Sequence, residues 1–268
     1  MTTDRYTHGH HDSVLRSHRW RTAQNSAAFL LTHLTPGLSL LDVGCGPGTI
    51  TADLASRLEP GPVVGIDRAP SVIAEATATY PPSTHLNLRF ASGDVYGLEI
   101  EDESFDVVFA HQVLQHLTDP VAALREMGRV LRPGGLLAVR DADYGAFTWF
   151  PADPALDEWL SLYHRVAREN GAEADGGRHL PSWVSSAGFV DVTITSSTWT
   201  YATAEERTWW GGLWAERMEQ SDLARQAVEY GFASASQLSV YASAFRRWAH
   251  APDGLFLVPN VEVLARRD

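Results

Sequence analysis

Apolar positions along the chain change period repeatedly, and each change marks an element. From Thr22 to Leu34 they recur at Ala23, Ala27, Leu30, Leu31 and Leu34, a stripe that predicts a helix stopped by Pro36-Gly37. Ser39 to Val43 is an apolar run interrupted by one acid and predicts a first, buried strand. Helical spacing returns from Ile50 to Leu58 and ends at Pro60-Gly61. Val63 to Ile66 predicts strand two, Ser71 to Tyr80 a helix capped by Ser71, and Leu86 to Ala91 strand three. Asp106 to Ala110 reads as a buried strand four, Pro120 to Leu131 as a helix, and Arg132-Pro133-Gly134-Gly135 as a sharp turn into strand five, Leu136 to Arg140.

Strands that alternate with helices imply parallel βαβ units and a doubly wound α/β sheet. The pattern then loosens. Asp141 to Phe150 is irregular and aromatic, 154–170 and Leu180 to Ala187 read as helices, and Gly188 to Tyr201 as a long strand six. Residues 204–250 are helical and rich in aromatics, and Leu255 to Leu264 is a seventh strand. The expected fold is thus a mostly parallel seven-stranded sheet with a polar N-terminal helical arm and a helical cap inserted between strands six and seven.

With 268 residues the chain can bury a large core. A net charge of -12, without a strong basic cluster, argues against a nucleic-acid partner. The single cysteine, Cys45, cannot form an internal disulfide, which suits a reducing compartment, and the cytoplasm is the expected location. No apolar run has the roughly 20 residues that span a bilayer, so no membrane is expected. His8, His10 and His11 lack the spacing and the supporting ligands of a metal site, and no metal is expected. Cys45 reads as a small packing residue rather than a nucleophile.

Candidate chemistry gathers where strands meet turns. After strand one comes Asp42-Val43-Gly44-Cys45-Gly46-Pro47-Gly48, a glycine turn leading straight into a helix. The spacing departs from the G-x-G-x-x-G of dinucleotide sites, because the third glycine comes one residue early. Asp42 would oppose a phosphate and suits a cationic or donor-rich ligand. Asp67 stands at the tip of strand two, where a carboxylate can accept both hydroxyls of a ribose. Gly93-Asp94-Val95 follows strand three, an acid beside an apolar residue that suits an adenine. His111-Gln112 open the turn after strand four.

In this order and spacing, the four motifs resemble the class I S-adenosylmethionine-dependent methyltransferases, and most nearly the small-molecule enzymes of the ubiquinone/menaquinone-methylase type (methyltransferase type 11). The resemblance covers roughly residues 20–140. It implies a Rossmann-like fold with S-adenosyl-L-methionine as cofactor and S-adenosyl-L-homocysteine as product. By resemblance, Gly44, Cys45 and Gly46 with Asp42 hold the methionine part, Asp67 the ribose, Gly93, Asp94 and Val95 the adenine, and His111 and Gln112 lie near the sulfur; Arg68 is a further cofactor-binding candidate. Arg21 is similar in position to an arginine of glycine N-methyltransferase-like proteins that pairs with the cofactor carboxylate. The expected division is an arm and covering helix over 1–36, a cofactor-binding core over 37–145, and a substrate-side region over 146–268 with its lid at 204–250.

The acceptor is less determined. The cofactor supplies the electrophile, so a base is optional. Tyr6, His116 and Asp141 are candidates for catalysis, with Asp143, His164 and His179 as further acids and bases. Tyr144, Trp209, Trp210 and Trp214 are candidates for a wall around a flat, apolar or cationic substrate. The expected function is methyl transfer to a small aromatic or polycyclic metabolite at O, N or C, of the secondary-metabolism kind, by a monomer or homodimer. A nicotinamide-dependent (NAD(P)) oxidoreductase and a catalytically silent cofactor-binding partner protein are the alternatives.

Overall fold

Leu40–Val43 forms β1, and all four of its residues are buried. Strand side chains alternate between faces, so Leu40 joins one apolar layer while Leu41 and Val43 join the other. The computed structural model describes residues 4–9 and 11–268. β1 lies between β2 (Val63–Asp67) and β4 (Phe105–His111), and all three run parallel. The chain moves outward to β3 (Leu88–Ser92), then crosses back over β1 to β4 and β5 (Leu131–Ala142). This reversal opens a crevice beyond the carboxyl ends of β1 and β4.

β8 (Leu255–Arg266) runs antiparallel beside β5, and it pairs in turn with β7 (Val190–Tyr201) and with β6 (Thr148–Phe150). β6 is an eighth strand beyond the seven expected. It lies in the stretch expected to be irregular: β5 continues through Asp141 to Ala142, a short 3-10 turn covers Tyr144–Ala146, and the chain then rejoins the sheet edge. The expected single helix over Thr22 to Leu34 is instead two short ones, α2 (Ala23–Ser26) and α3 (Ala28–Leu31). Ala27 leaves the helical region between them, at φ -135° and ψ 19°.

The first layer, on Leu40, Val107 and Phe109, is covered by α2, α3 and α4 (Thr49–Leu58). The second, on Leu41, Val108 and Ala110, is covered by α6 (Pro120–Val130) and α8 (Gly176–Ser186). A third core joins α7 (Pro154–Glu169) to the inserted cap, α9 (Ala204–Gln220), α10 (Asp222–Glu229) and α11 (Ala235–His250), around Phe256 and Val258 of β8. The arm carries α1 (Asp12–Arg19), which lies on α9. Among the described residues no helix is long and apolar enough to cross a membrane.

Candidate active site

The glycine turn leaves β1 through three positive-φ residues, Gly44, Gly46 and Gly48. Glycine is required at two of them by space as well as by conformation. A Cβ on Gly44 would stand 2.3 Å from Val113, and one on Gly48 2.5 Å from the Phe90 ring. The N–H groups of Gly44 and Cys45 both donate to Ile66 O, which pins the turn to the end of β2. The bare backbone of the turn forms the floor of a cleft of about 390 Å³.

The cleft gathers the candidates of all four motifs: Asp42 with the glycine turn, Asp67 with Arg68, Gly93 to Val95, and His111 with Gln112. Asp42 is buried and accepts a 2.6 Å hydrogen bond from Thr51 Oγ1. Burial pushes its carboxyl up to about 7, against the opposing Thr51 bond and with a further push from the charge of Asp67. Asp67 accepts from the backbone N–H groups of Gly46 and Ala69. Asp94 Oδ1 accepts from Tyr96 N–H and holds the loop after β3. Arg68 Nη1 donates to Asp4 O of the arm.

Gln112 is a non-glycine residue at φ 54°, a costly conformation that concentrates at functional sites. It turns the chain so that its side chain accepts from Arg21 Nη2 at 2.6 Å and donates to Asn260 Oδ1 at 3.2 Å. His111 is buried, with Nε2 2.7 Å from Arg140 Nη1. Burial and the nearby Arg21 and Arg140 hold it well below the usual histidine range, so it is neutral and Nε2 accepts. Arg140, also buried, is paired with Glu262.

A second cavity of about 30 Å³ adjoins the cleft, and Tyr6, His18, Arg21, Gln112 and His116 line both. Its far wall includes Tyr144, Trp209 and Trp210, three of the four substrate-wall candidates, together with Trp199, Tyr201 and Arg217. Tyr144 Oη lies 3.0 Å from His8 Nε2, which Tyr163 Oη also approaches at 2.9 Å. Burial, and then Arg21, bring His116 down to about 3, while burial raises Tyr6.

Five candidate residues lie outside both cavities. Trp214 lines neither cavity. It is fully buried in the cap core, edge-on to Trp159 at 4.5 Å and stacked on Phe245 at 5.7 Å, because its turn of α9 faces α7 and α11. Asp141 also lines neither, since the extension of β5 draws it into the sheet; burial pushes its carboxyl well above the usual range. Asp143 pairs with Arg178, His164 with Asp175, and His179 is exposed near Glu173, all outside both cavities.

Of the arm histidines, His8 is buried against the tyrosines and His11 caps α1, while His10 lies outside the described residues. Sequence reasoning missed His18 and Asp4, which sit over the cleft, and Arg217. Arg217 had a signal: it stands seven residues after Trp210 and three after Trp214, a charge in the apolar stripe of α9.

Comparison with known proteins agrees with this geometry. A family model described as a methyltransferase domain matches residues 34–206. An uncharacterized methyltransferase of Schizosaccharomyces pombe is 30% identical over 271 residues, covering 98% of this chain and 96% of that protein. Among solved structures, YcgJ of Bacillus subtilis aligns at a TM-score of 0.60 with 18% identity, covering 91% of this chain and 99% of that one. Phosphoethanolamine N-methyltransferase 2 of Haemonchus contortus, solved with phosphomonomethylethanolamine and S-adenosylhomocysteine, aligns at 0.59 with 19% identity, covering 91% of this chain and 52% of that one. These matches set aside the oxidoreductase alternative, and the chain belongs to the class I S-adenosylmethionine-dependent methyltransferases.

Proposed function

We propose that this enzyme moves the methyl group of S-adenosylmethionine to a small aromatic or polycyclic metabolite, at an O, N or C atom. The observation that carries the reading is the junction of the two cavities at Arg21, Gln112, Tyr6 and His116. A cofactor in the larger cleft would present its sulfonium there, facing a space walled by Tyr144, Trp209 and Trp210. On this reading Asp67 takes the ribose hydroxyls, Gly93, Asp94 and Val95 take the adenine, and Asp42 with the glycine turn takes the cationic methionine end. Arg21 takes the carboxylate, and its contact with Gln112 and its place on both cavities support that role.

The reaction is an in-line displacement. The acceptor's electron pair forms the new bond to the methyl carbon, the carbon–sulfur bond breaks, and its electrons neutralise the sulfonium. Any proton on the acceptor atom leaves to water or a base. His116, held neutral to about pH 3, is a weak base, and Tyr6 stays protonated. The residues here therefore act by position and by excluding water rather than by strong proton abstraction. The acceptor space of about 30 Å³ holds only a few atoms, so entry of a ring requires the arm to shift.

The single cysteine supports a cytoplasmic setting, and we read 1–36 as the covering arm, 37–145 as the cofactor-binding core and 146–268 as the substrate-side region, whose Trp209 and Trp210 join Tyr144 of the core on the acceptor wall. Calorimetric titration with S-adenosylhomocysteine and with NADH, followed by transfer of labelled methyl to pooled aromatic metabolites, tests the reading. Binding of the first alone, with label in a small product, is expected; binding of NADH, or labelled methyl that never leaves the cofactor, would overturn it.

A further inference from the structure

The second cavity has a one-sided charge. Two guanidinium groups, Arg21 and Arg217, stand on its wall, and no aspartate or glutamate does among the described residues. Arg217 is 4% exposed. Its Nη2 donates to Ser17 Oγ at 2.6 Å and to Ser13 O at 3.2 Å, and its guanidinium lies 4.9 Å from the Trp214 ring. Its Nε is buried without an acceptor, and so is Trp210 Nε1 on the same wall. Burying a guanidinium without a carboxylate is costly. The equally buried Arg140 differs in having a carboxylate partner, Glu262.

Among the described residues no neighbour on this wall supplies the missing anion. Burial raises the phenols of Tyr6, Tyr144 and Tyr201, so they stay neutral. His8, His18 and His116 are lowered by burial and by the arginines themselves. The wall thus offers donors and positive charge that the fold leaves uncompensated.

We propose that the methyl acceptor is an aromatic acid whose carboxylate seats on Arg217, with Trp210 Nε1 as a second donor. The proposal rests on reading the second cavity as the acceptor space. It disfavours the cationic acceptor that the aromatic wall alone would suit, because with Arg21 engaged by the cofactor carboxylate such a ligand would still face the unbalanced charge of Arg217.

The test uses 2-naphthoate and its neutral counterpart 2-naphthamide, each titrated at pH 7.5 into the protein saturated with S-adenosylhomocysteine and read by tryptophan fluorescence. The acid is expected to bind about 10-fold or more tighter than the amide, as a charge-assisted hydrogen bond allows. Arg217→Gln should remove that preference, and Arg217→Lys should keep part of it. S-adenosylhomocysteine affinity, unchanged within about 2-fold, reports that each variant is folded. Equal binding of acid and amide, no binding of the acid, or a preference that survives Arg217→Gln overturns the proposal. Failure of the wild-type protein to bind S-adenosylhomocysteine would instead remove the cofactor reading beneath it, and this proposal with it.

Discussion

Asp67 Oδ2 accepts the Gly46 N–H at 3.1 Å while Oδ1 accepts the Ala69 N–H at 2.9 Å, so one carboxylate ties the glycine turn to the start of α5 (Pro70–Thr79). Each oxygen can accept a further hydrogen bond, and Asp67 lines the cleft. The side chain proposed to take the ribose therefore also fixes the turn beneath the methionine end. Asp67→Asn turns one acceptor oxygen into a donor and removes the charge. We expect S-adenosylhomocysteine affinity to fall about 10- to 100-fold, the ~1.5–3 kcal/mol of hydrogen bonds to a charged group. Calorimetric titration measures it, and an unchanged affinity would remove Asp67 from the site.

Asp42 supplies a pH dependence whose sign follows from its burial. With its carboxyl raised to about 7, the empty protein holds Asp42 largely protonated at pH 6. A cationic methionine end favours the carboxylate, so binding below pH 7 must release that proton. Affinity for S-adenosylmethionine is expected to rise from pH 6 to pH 7.5 and then level off. Asp42→Asn should flatten the rise and weaken binding at pH 7.5. Titrations in two buffers of different ionisation enthalpy count the released proton, and a flat wild-type profile would refute the coupling.

These two acids were legible in the sequence because their constraints are local. A strand end, a tight turn and a helix start fix where Asp42, Asp67 and Asp94 can lie, whatever the rest of the chain does. Gln112 was legible in the same way, at the mouth of β4. Trp210 and Trp214 were not separable, since both belong to one apolar stripe of α9. Only the packing of α7 and α11 turns Trp214 into the core and leaves Trp210 on the cavity. Arg217 and His8 needed partners far away in sequence, such as Ser17 and Tyr144. The eighth strand, β6, is too short to carry a period and forms only because β8 offers an edge.

Asp4 closes the arm across the cleft. Its Oδ1 accepts from Thr118 N–H at 2.9 Å and Thr118 Oγ1 at 2.7 Å, and its backbone carbonyl accepts from Arg68. The contact is exposed, so it contributes little to global stability, yet it spans the exit from the site. Asp4→Ala is expected to speed S-adenosylhomocysteine release about 10-fold, the effect of losing ~1.4 kcal/mol of closure, while changing unfolding stability by less than about 1 kcal/mol. Stopped-flow displacement and denaturant titration separate the two. Unchanged release would mean that the arm does not gate the cleft.

Two glycines to which the fold assigns opposite values give a paired stability test. Gly48 ends the glycine turn at φ 81°, and a Cβ there would meet Phe90 Cζ at 2.5 Å and Ala76 Cβ at 3.3 Å. Gly48→Ala combines left-handed strain of ~1–2 kcal/mol with a clash against a packed ring, so it should destabilise by at least about 2 kcal/mol. Gly212 lies inside α9 with open space where its Cβ would stand. Gly212→Ala gains helix propensity and should stabilise by up to about 1 kcal/mol. Thermal unfolding should therefore move the two variants in opposite directions, by a few degrees each. S-adenosylhomocysteine binding should follow only Gly48, because Gly212 lines neither cavity. A stable Gly48→Ala variant that binds normally would show that the turn relaxes and that its backbone path is not what shapes the cofactor cleft.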